Sequence, residues 1–380
     1  MTPSSPLAFL PNLLAAGRRE IGMFVALLLI CFGLWASNPD FLGISNVVNT
    51  TRQIGMLGIL AVGISFVIIT GGIDLSIGSI VGLTGVLIAK FSSNAEGGLG
   101  YPLWVGIAVA LAVALFIGLV QGLLITRLNL QSFIVTLGGM LLVRGVSQTI
   151  VKGGTLGFGD SSFRNLSDTG LFRVGGDALL PYPLLIFLVV AVVAAYVLHF
   201  TVFGRYVFAI GGNRDAAEYS GIAVRRVETI TYVISAGLAG VSGICYAAYI
   251  GQMSQQVGIA FELYAIAAAV LGGVSLRGGE GTIIGIIIGT AIMRVINNGI
   301  TMFQLGYHDA RGIRRIWRLD TNWEFIIIGA VILVAVILDQ VVHIVQARHR
   351  TRKAGAEADA PKQEGFDVLT AGTGPTTPGA

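Results

Sequence analysis

Charge is the scarcest property of this 380-residue chain. Asp, Glu, Lys and Arg make up 12% of it, whereas 54% is hydrophobic. Soluble globular domains carry about 25% charged residues. A soluble chain this apolar has nowhere to hide the surplus, so a water-soluble fold is excluded and lipid has to serve as solvent. Cysteine is nearly absent. Cys31 and Cys245 both fall inside apolar stretches, where they read as small packing residues with no disulfide framework. The four histidines, His199, His308, His343 and His349, are scattered, and none stands at metal-ligand spacing from cysteines or carboxylates. No Gly-x-x-x-x-Gly-Lys-Ser/Thr phosphate loop and no Gly-x-Ser-x-Gly nucleophile elbow occurs. These absences argue against an enzyme, and no cofactor, metal or nucleic-acid partner is expected. A pore without its own fuel uses an ion gradient, downhill flow or a borrowed ATPase.

What is present is glycine, 53 residues of it, and long apolar runs along most of the chain. Small residues let helix backbones approach closely inside a membrane bundle. Ten candidate spans follow, at 21–37, 53–70, 74–91, 103–126, 132–151, 183–201, 228–250, 261–275, 281–300 and 323–345. The expected fold is therefore an all-α polytopic membrane protein of about ten transmembrane helices. Spans two, three and eight read as short segments interrupted by Gly71-Gly72 and Gly272-Gly273. Segments of that kind belong in the protein interior, where neighbours satisfy freed backbone groups. The expected division is a cytoplasmic, loop-like segment 1–20, a transmembrane domain 21–345 and a disordered cytoplasmic tail 346–380 rich in Ala, Gly, Thr, Pro and charge. The apolar run Ile21–Ala36 lacks a following small-residue cleavage site and reads as a first anchor.

An N-terminus placed inside puts both termini in the cytoplasm and gives thirteen Lys and Arg inside against nine outside, a modest positive-inside bias. Segment 307–321 resists this arrangement, because it sets Arg311, Arg314, Arg315 and Arg318 in one short outer loop. The long outer loop 152–182 is polar and mixed in charge, suited to meeting a soluble protein. The long inner loop 202–227 contains a candidate short helix, with Asn213 or Asp215 as cap, Glu218 three residues after Asp215, and Gly221 as a left-handed stop. Its physics alone favours a solvated connector over a docking element.

Polar residues near or within the spans are the candidates for a translocation path. Asp74, in GGIDLSIGS, is ionisable at membrane depth and is a functional candidate on that ground, although a structural cap for the third span is the favoured reading. Arg144 and Arg294 lie within spans and either line a pathway or reach an interface. Asn297-Asn298-Gly299, Asn46, Asn49, Arg52, Gln53 and Gln121 divide in the same way between hydrogen-bonding a polar solute and capping helices.

Four blocks along the chain resemble the permease subunit of ribose-type monosaccharide ATP-binding-cassette importers. They are GILAVGISFVIITGGIDLSIGS from Gly58, SFIVTLGGMLLVRG from Ser132, FGRYVFAIGGNRDAAEYSGI from Phe203, and ELYAIAAAVLGGVSLRGGEGTIIG from Glu262, the last followed by Asn298-Gly299. The resemblance spans about 40–345. It implies a fold similar to the ten-helix, vitamin-B12-importer-like permeases. It also implies a pair of permeases, two cytoplasmic ATPase subunits, and a periplasmic or lipid-anchored sugar-binding protein. Gly211, Gly212, Asn213, Ala216, Ala217, Ser220 and Gly221 match the family's ATPase-coupling segment, which turns the reading of that loop toward coupling. Ser132 stands where the family often has Pro, Gln121 where it has Asn, and 307–321 is longer and more basic than the usual turn. The expected function is import of a ribose-like pentose or related sugar across the inner membrane. The alternative is an ion-coupled secondary transporter, which calls for intramembrane carboxylates; Asp74 and Glu262 are the strong candidates.

Overall fold

Gly55, Gly58 and Gly63 lie along one apolar run and strip it of side chains where neighbours must come close. In a computed structural model of the chain that run is the central helix of the bundle. The structure describes residues 10–94, 97–159, 161–174, 177–308, 314–318, 323–334, 336–337 and 340. The helices are α1 Leu10–Ser37, α2 Ile44–Ile69, α3 Ile77–Ser92, α4 Leu103–Arg127, α5 Ser132–Val151, the short α6 Asn165–Asp168, α7 Tyr182–Phe200, α8 Val202–Gly212, α9 Arg214–Tyr219, α10 Val224–Ile250, α11 Phe261–Leu271 and α12 Ile283–Met302. A thirteenth, α13, covers Trp323–Val334. These elements belong to one compact unit, residues 1–336; of the second, 337–380, only residues 337 and 340 are described, both helical.

Seventeen residues of α2 are buried. It packs against α7, α10, α11 and α12. A methyl group at Gly55 would lie 2.5 Å from the Pro183–Leu184 backbone, one at Gly58 would run into the Phe187 ring, and one at Gly63 would stand 3.0 Å from Leu238. Real side-chain atoms do not approach so closely, so glycine sets the spacing. The α4–α10 contact is built alike: methyls at Gly118 and Gly122 would lie 2.6 Å from Ala236 and 3.1 Å from Thr229. The outer helices instead turn large apolar side chains outward, among them Leu28, Phe32, Trp104, Phe116, Leu142 and Val192. In water such a surface would drive aggregation; facing hydrocarbon it is at no disadvantage.

Each of the ten expected spans overlaps a helix, the last over Trp323–Val334, since 335, 338–339 and 341–345 lie outside the described residues. Among the described residues, seven helices are long and apolar enough to cross a membrane: α2, α4, α5, α7, α10, α12 and residues Arg19–Ser37 of α1. The other three, α3, α11 and α13, are shorter apolar helices. The second span is not short: α2 has 26 residues, and Gly71-Gly72 follow its end instead of interrupting it. In the same way, Gly272-Gly273 follow α11. Helix α1 starts at Leu10, ahead of the expected anchor.

Three small antiparallel pairs depart from an all-α expectation. They are β1 Thr155–Gly157 with β4 Gln252–Ser254, β2 Gly170–Val174 with β3 Asp177–Pro181, and β5 Gln304–His308 with β6 Arg314–Arg318. The first two pairs and α6 organise the 152–182 loop. The third occupies part of the basic 307–321 segment, pairing Gln304 with Arg318 and His308 with Arg314; residues 309–313 and 319–321 lie outside the described residues, as does the tail 346–380.

Candidate coupling and translocation site

The loop between α7 and α10 folds into two helices, one more than expected. Helix α8 starts at Thr201, whose hydroxyl accepts from Gly204 N at 3.2 Å, and it buries Gly204, Val207 and Ile210 at three-residue spacing. It stops at Asn213, which is extended and caps α9 by accepting from Ala216 N at 2.9 Å. Of the two expected caps it is thus Asn213, not Asp215, that makes the bond. Ala217 alone is buried in α9, and Ser220 Oγ donates back to Ala216 O at 2.8 Å. Gly221 leaves the helix at φ +83°, a left-handed conformation that favours glycine. Glu218 does not complete a capping box. It lies 3.7 Å from Arg214, whose guanidinium also donates to Glu228 of α10 at 2.9 and 3.3 Å. That bond to Glu228 raises the Arg214 pKa above the ordinary guanidinium range.

A glycine knot fixes the other side of this element. Gly279 N donates to Ile69 O, the last carbonyl of α2, at 2.8 Å. A methyl at Gly211 would collide with that carbonyl and with Gly279 N, and one at Gly278 would stand 3.0 Å from Gly211 Cα and Gly71 N. The end of α8, the end of α2 and the α11–α12 loop therefore meet backbone to backbone. Gly212, one residue on, has open space around it.

The α2 end leads directly into the Asp74 segment. Asp74 is fully buried. Its Oδ1 accepts from Ser76 N at 2.9 Å and Ser76 Oγ at 2.7 Å, and its Oδ2 accepts from Ser235 Oγ of α10 at 2.9 Å. The carboxylate therefore holds the residue that precedes α3, and Ser76 itself caps no α3 amide with its side chain. Ser76 Oγ also lies 3.0 Å from Gln121 Oε1 of α4. Gln121 Nε2 has no partner among the described residues and faces Gly139 of α5 so closely that a methyl there would strike it. Gln121 thus sits where α3, α4 and α5 meet, beside an otherwise mostly apolar cleft of about 450 Å³ between α4 and α5.

Arg144 does not reach Asp74. Its guanidinium donates to Ser79 Oγ at 3.2 Å and to Gly258 O at 3.3 Å, and acts through space on Glu262. Glu262 is buried, and its Oε2 has no hydrogen-bond partner among the described residues. The remaining candidates form three further clusters. Asn46 and Asn298 exchange amide hydrogen bonds at 3.0 and 2.8 Å. Asn297 Nδ2 donates to Glu324 Oε1, which also accepts from Tyr264 at 3.0 Å; Arg294 lies over the Tyr264 ring and donates to Tyr246. Gln53 donates to Tyr249 at 3.4 Å, Tyr249 donates to Asn49 at 3.0 Å, and Arg52 stands over the Tyr249 ring.

Asp74 and Gln121 are therefore brought together, as are Asn46 and Asn298. Arg144, Gln53 and Asn297 join Ser79, Tyr249 and Glu324 respectively, Glu324 in turn joins Tyr264, and Asp74 joins Ser235; sequence patterns singled out none of these partners. A lone serine or tyrosine in an apolar run carries no periodic signal. Glu324, a carboxylate in the tenth apolar run, is the one with a sequence signal that was passed over.

The fold is a bundle of apolar helices in which a small, capped helix is pinned against the ends of the central ones. The chain belongs to the family described as branched-chain amino acid transport system / permease component, whose model matches residues 46–336. Among its relatives, the ribose import permease protein of Escherichia coli K12 is 36% identical over 83% of this chain and 92% of the relative. The galactose/methyl galactoside import permease protein of the same strain is 34% identical over 84% and 94%. The xylose transport system permease protein of Haemophilus influenzae is 30% identical over 83% and 94%. The chain is thus a member of the ribose-type group of sugar permeases. No solved structure matches it significantly.

Proposed function

We propose that this chain is the membrane-spanning subunit of an ATP-binding-cassette importer for a monosaccharide. The observation that carries the proposal is α9: a helix capped by Asn213, exposed along most of its length, and anchored both by Arg214 to Glu228 and by Gly211 to the end of α2. A docked ATPase that pushes on α9 moves α10 and α2 together. Both converge on Asp74, through Ser235 and the α2–α3 turn respectively. In this reading two permease copies rock between inward-open and outward-open states, and separate cytoplasmic subunits hydrolyse ATP. A periplasmic sugar-binding protein delivers cargo at the opposite face.

The finer architecture belongs to the same reading. Ten spans result when α3, α11 and α13 join the seven long helices, an arrangement similar to the vitamin-B12-importer-like fold. Both termini then face the cytoplasm, with 1–20 and 346–380 flanking a permease domain 21–345. Gly211, Gly212, Asn213, Ala216, Ala217, Ser220 and Gly221 couple to the ATPase. Asn46, Gln53, Asp74, Gln121, Arg144, Asn297 and Asn298 serve the path. The family description names branched-chain amino acids, whereas the relatives named above carry ribose, galactose or xylose in their titles. A sugar is the better cargo, because the three relatives carry sugars in their titles and Asn46, Gln53, Gln121, Asn297 and Asn298 offer amides that suit a neutral polyol.

The test is uptake in proteoliposomes containing the chain, its ATPase and its binding protein, with labelled ribose, galactose, xylose and leucine. ATP-dependent uptake of one sugar, lost in the folded Gly212→Asp/Asn213→Ala variant, is expected. Uptake that ignores ATP and follows a proton or sodium gradient would replace this reading with ion-coupled transport, for which buried Asp74 and the half-partnered Glu262 carboxylate would be the carriers.

A further inference from the structure

Two openings in the bundle surface lie on one continuous stripe. The first, about 630 Å³, sits at the α9 end of α10 and is lined by Arg127 of α4 and by Arg225 and Arg226 of α10. All three arginines are exposed, and none forms an ion pair among the described residues. The acid nearest in sequence, Glu228, is turned to Arg214. The two threonine hydroxyls in the cleft, Thr126 and Thr229, bond each other at 2.9 Å, so the guanidinium groups are its unsatisfied polar part. The second opening, about 410 Å³, is walled by apolar side chains including Leu115, Val193, Val197, Val233 and Leu238.

Helix geometry joins them. On α10, Arg226 and Ile230 line the first opening, and Val233, Ile234 and Gly237 the second, at the three- and four-residue spacing of one face. On α4, Leu123 and Leu115 stand eight residues apart on one face as well. From Arg226 to Gly237 the stripe runs about 16 Å at ~1.5 Å per residue. One leaflet of a hydrocarbon core ~30 Å thick is about 15 Å deep. The groove therefore has a cationic mouth and an apolar floor one acyl chain long.

We propose that this groove between α4, α7 and α10 holds an anionic phospholipid. Its phosphate rests on Arg127, Arg225 and Arg226, and one acyl chain lies along Val233, Gly237 and Val193. A free anion would leave the apolar floor without a role. An acidic protein segment would not enter at membrane depth. The proposal rests on the chain being membrane-spanning and not on the identity of its cargo. The bound headgroup stands two residues from Glu228, the α10 anchor of α9, so the lipid stiffens the element through which we have the ATPase act.

The test is native mass spectrometry of the purified full chain with phosphatidylglycerol or phosphatidylcholine of identical acyl chains. Phosphatidylglycerol is expected to be retained about a hundredfold more than phosphatidylcholine, at roughly fivefold for each of the three arginine contacts. The Arg127→Gln/Arg226→Gln variant should cut that preference to about fivefold, what Arg225 alone supplies. Val193→Trp, on an exposed wall, should weaken retention of both lipids. A photoreactive phosphatidylglycerol on the unaltered chain provides a measurement independent of variant folding and should label α4 and α10 peptides. Equal retention of the two lipids, displacement by millimolar inorganic phosphate, protection of the arginines by an ATPase subunit in place of lipid, or labelling elsewhere would each overturn the proposal.

Discussion

Replacing Gly211 by alanine tests the glycine knot directly, because Gly212 beside it is a built-in control. The added methyl at Gly211 collides with Ile69 O and Gly279 N, both backbone atoms that cannot rotate away. Restoring ordinary contact at about 3.5 Å requires the α8 end and the α11–α12 loop to separate by about 1 Å or more. Overpacking of this kind costs about 1–3 kcal/mol. The same methyl at Gly212 meets nothing within 4 Å and sits at a helix end, so it should be close to neutral. Thermal unfolding in detergent should therefore place Gly211→Ala below both the unaltered chain and Gly212→Ala. In proteoliposomes Gly211→Ala should also lower sugar imported per ATP hydrolysed relative to the unaltered chain, since the push on α9 no longer reaches Ile69. Equal stability of the two variants, with a Gly211→Ala coupling ratio equal to that of the unaltered chain, would show that the knot neither constrains α8 nor transmits anything.

Other expectations follow from the same contacts. Asn213→Ala removes the α9 cap at about 1 kcal/mol and should lower uptake without lowering the yield of folded chain, while Asn213→Asp should retain activity. Asp74→Ala leaves the Ser76 amide and the Ser235 hydroxyl without their acceptor at about 1–3 kcal/mol each, while Ser76 Oγ keeps Gln121 Oε1; Asp74→Asn, which still accepts at one oxygen, should be the more stable in a melting assay. Glu228→Gln weakens the hold on Arg214 by under about 1 kcal/mol, because the pair is partly exposed, and should make α9 more susceptible to limited proteolysis. The Arg214 pKa is raised in the folded chain, so wherever Glu228 is ionised its contribution is fully present below the ordinary guanidinium value and fades only as pH rises beyond it. Uptake measured from pH 6 to 9 should show no step assignable to this ion pair.

The helices themselves were largely legible in the sequence. Span 132–151 coincides with α5, and 103–126 with α4 to within one residue, because an apolar run bounded by Pro102 and Arg127 leaves little choice of ends. The start of α2 was less legible. Its first nine residues, Ile44–Arg52, carry Asn46, Asn49 and Arg52, which lower hydropathy while making tertiary bonds that only the folded bundle supplies. Helix α8 was read as connector for a related reason: its eleven residues carry two hydrogen-bonding side chains but bury one face against the bundle. The α9 stop at Gly221 could be read because a turn residue announces itself locally. The polar partners could not. Ser235 meets Asp74 across 161 positions and Tyr249 meets Asn49 across 200, and no local pattern encodes contacts so distant.

The burial of α2 bears on the order in which the molecule is made. Its 26 residues are apolar enough to enter a bilayer alone, where lipid tails would surround them. In the finished bundle, most of its length touches only protein. Lipid must therefore be expelled from around α2 when α7, α10, α11 and α12 close on it, a second stage that releases no water and gains little from hydrophobicity. Close fit is what remains to drive it, and Gly55, Gly58 and Gly63 are the places where that fit is made. Maturation of this protein should then be slow to tolerate bulk along that one helix face, and an immature form with a lipid-wrapped α2 is the species on which membrane quality control would act.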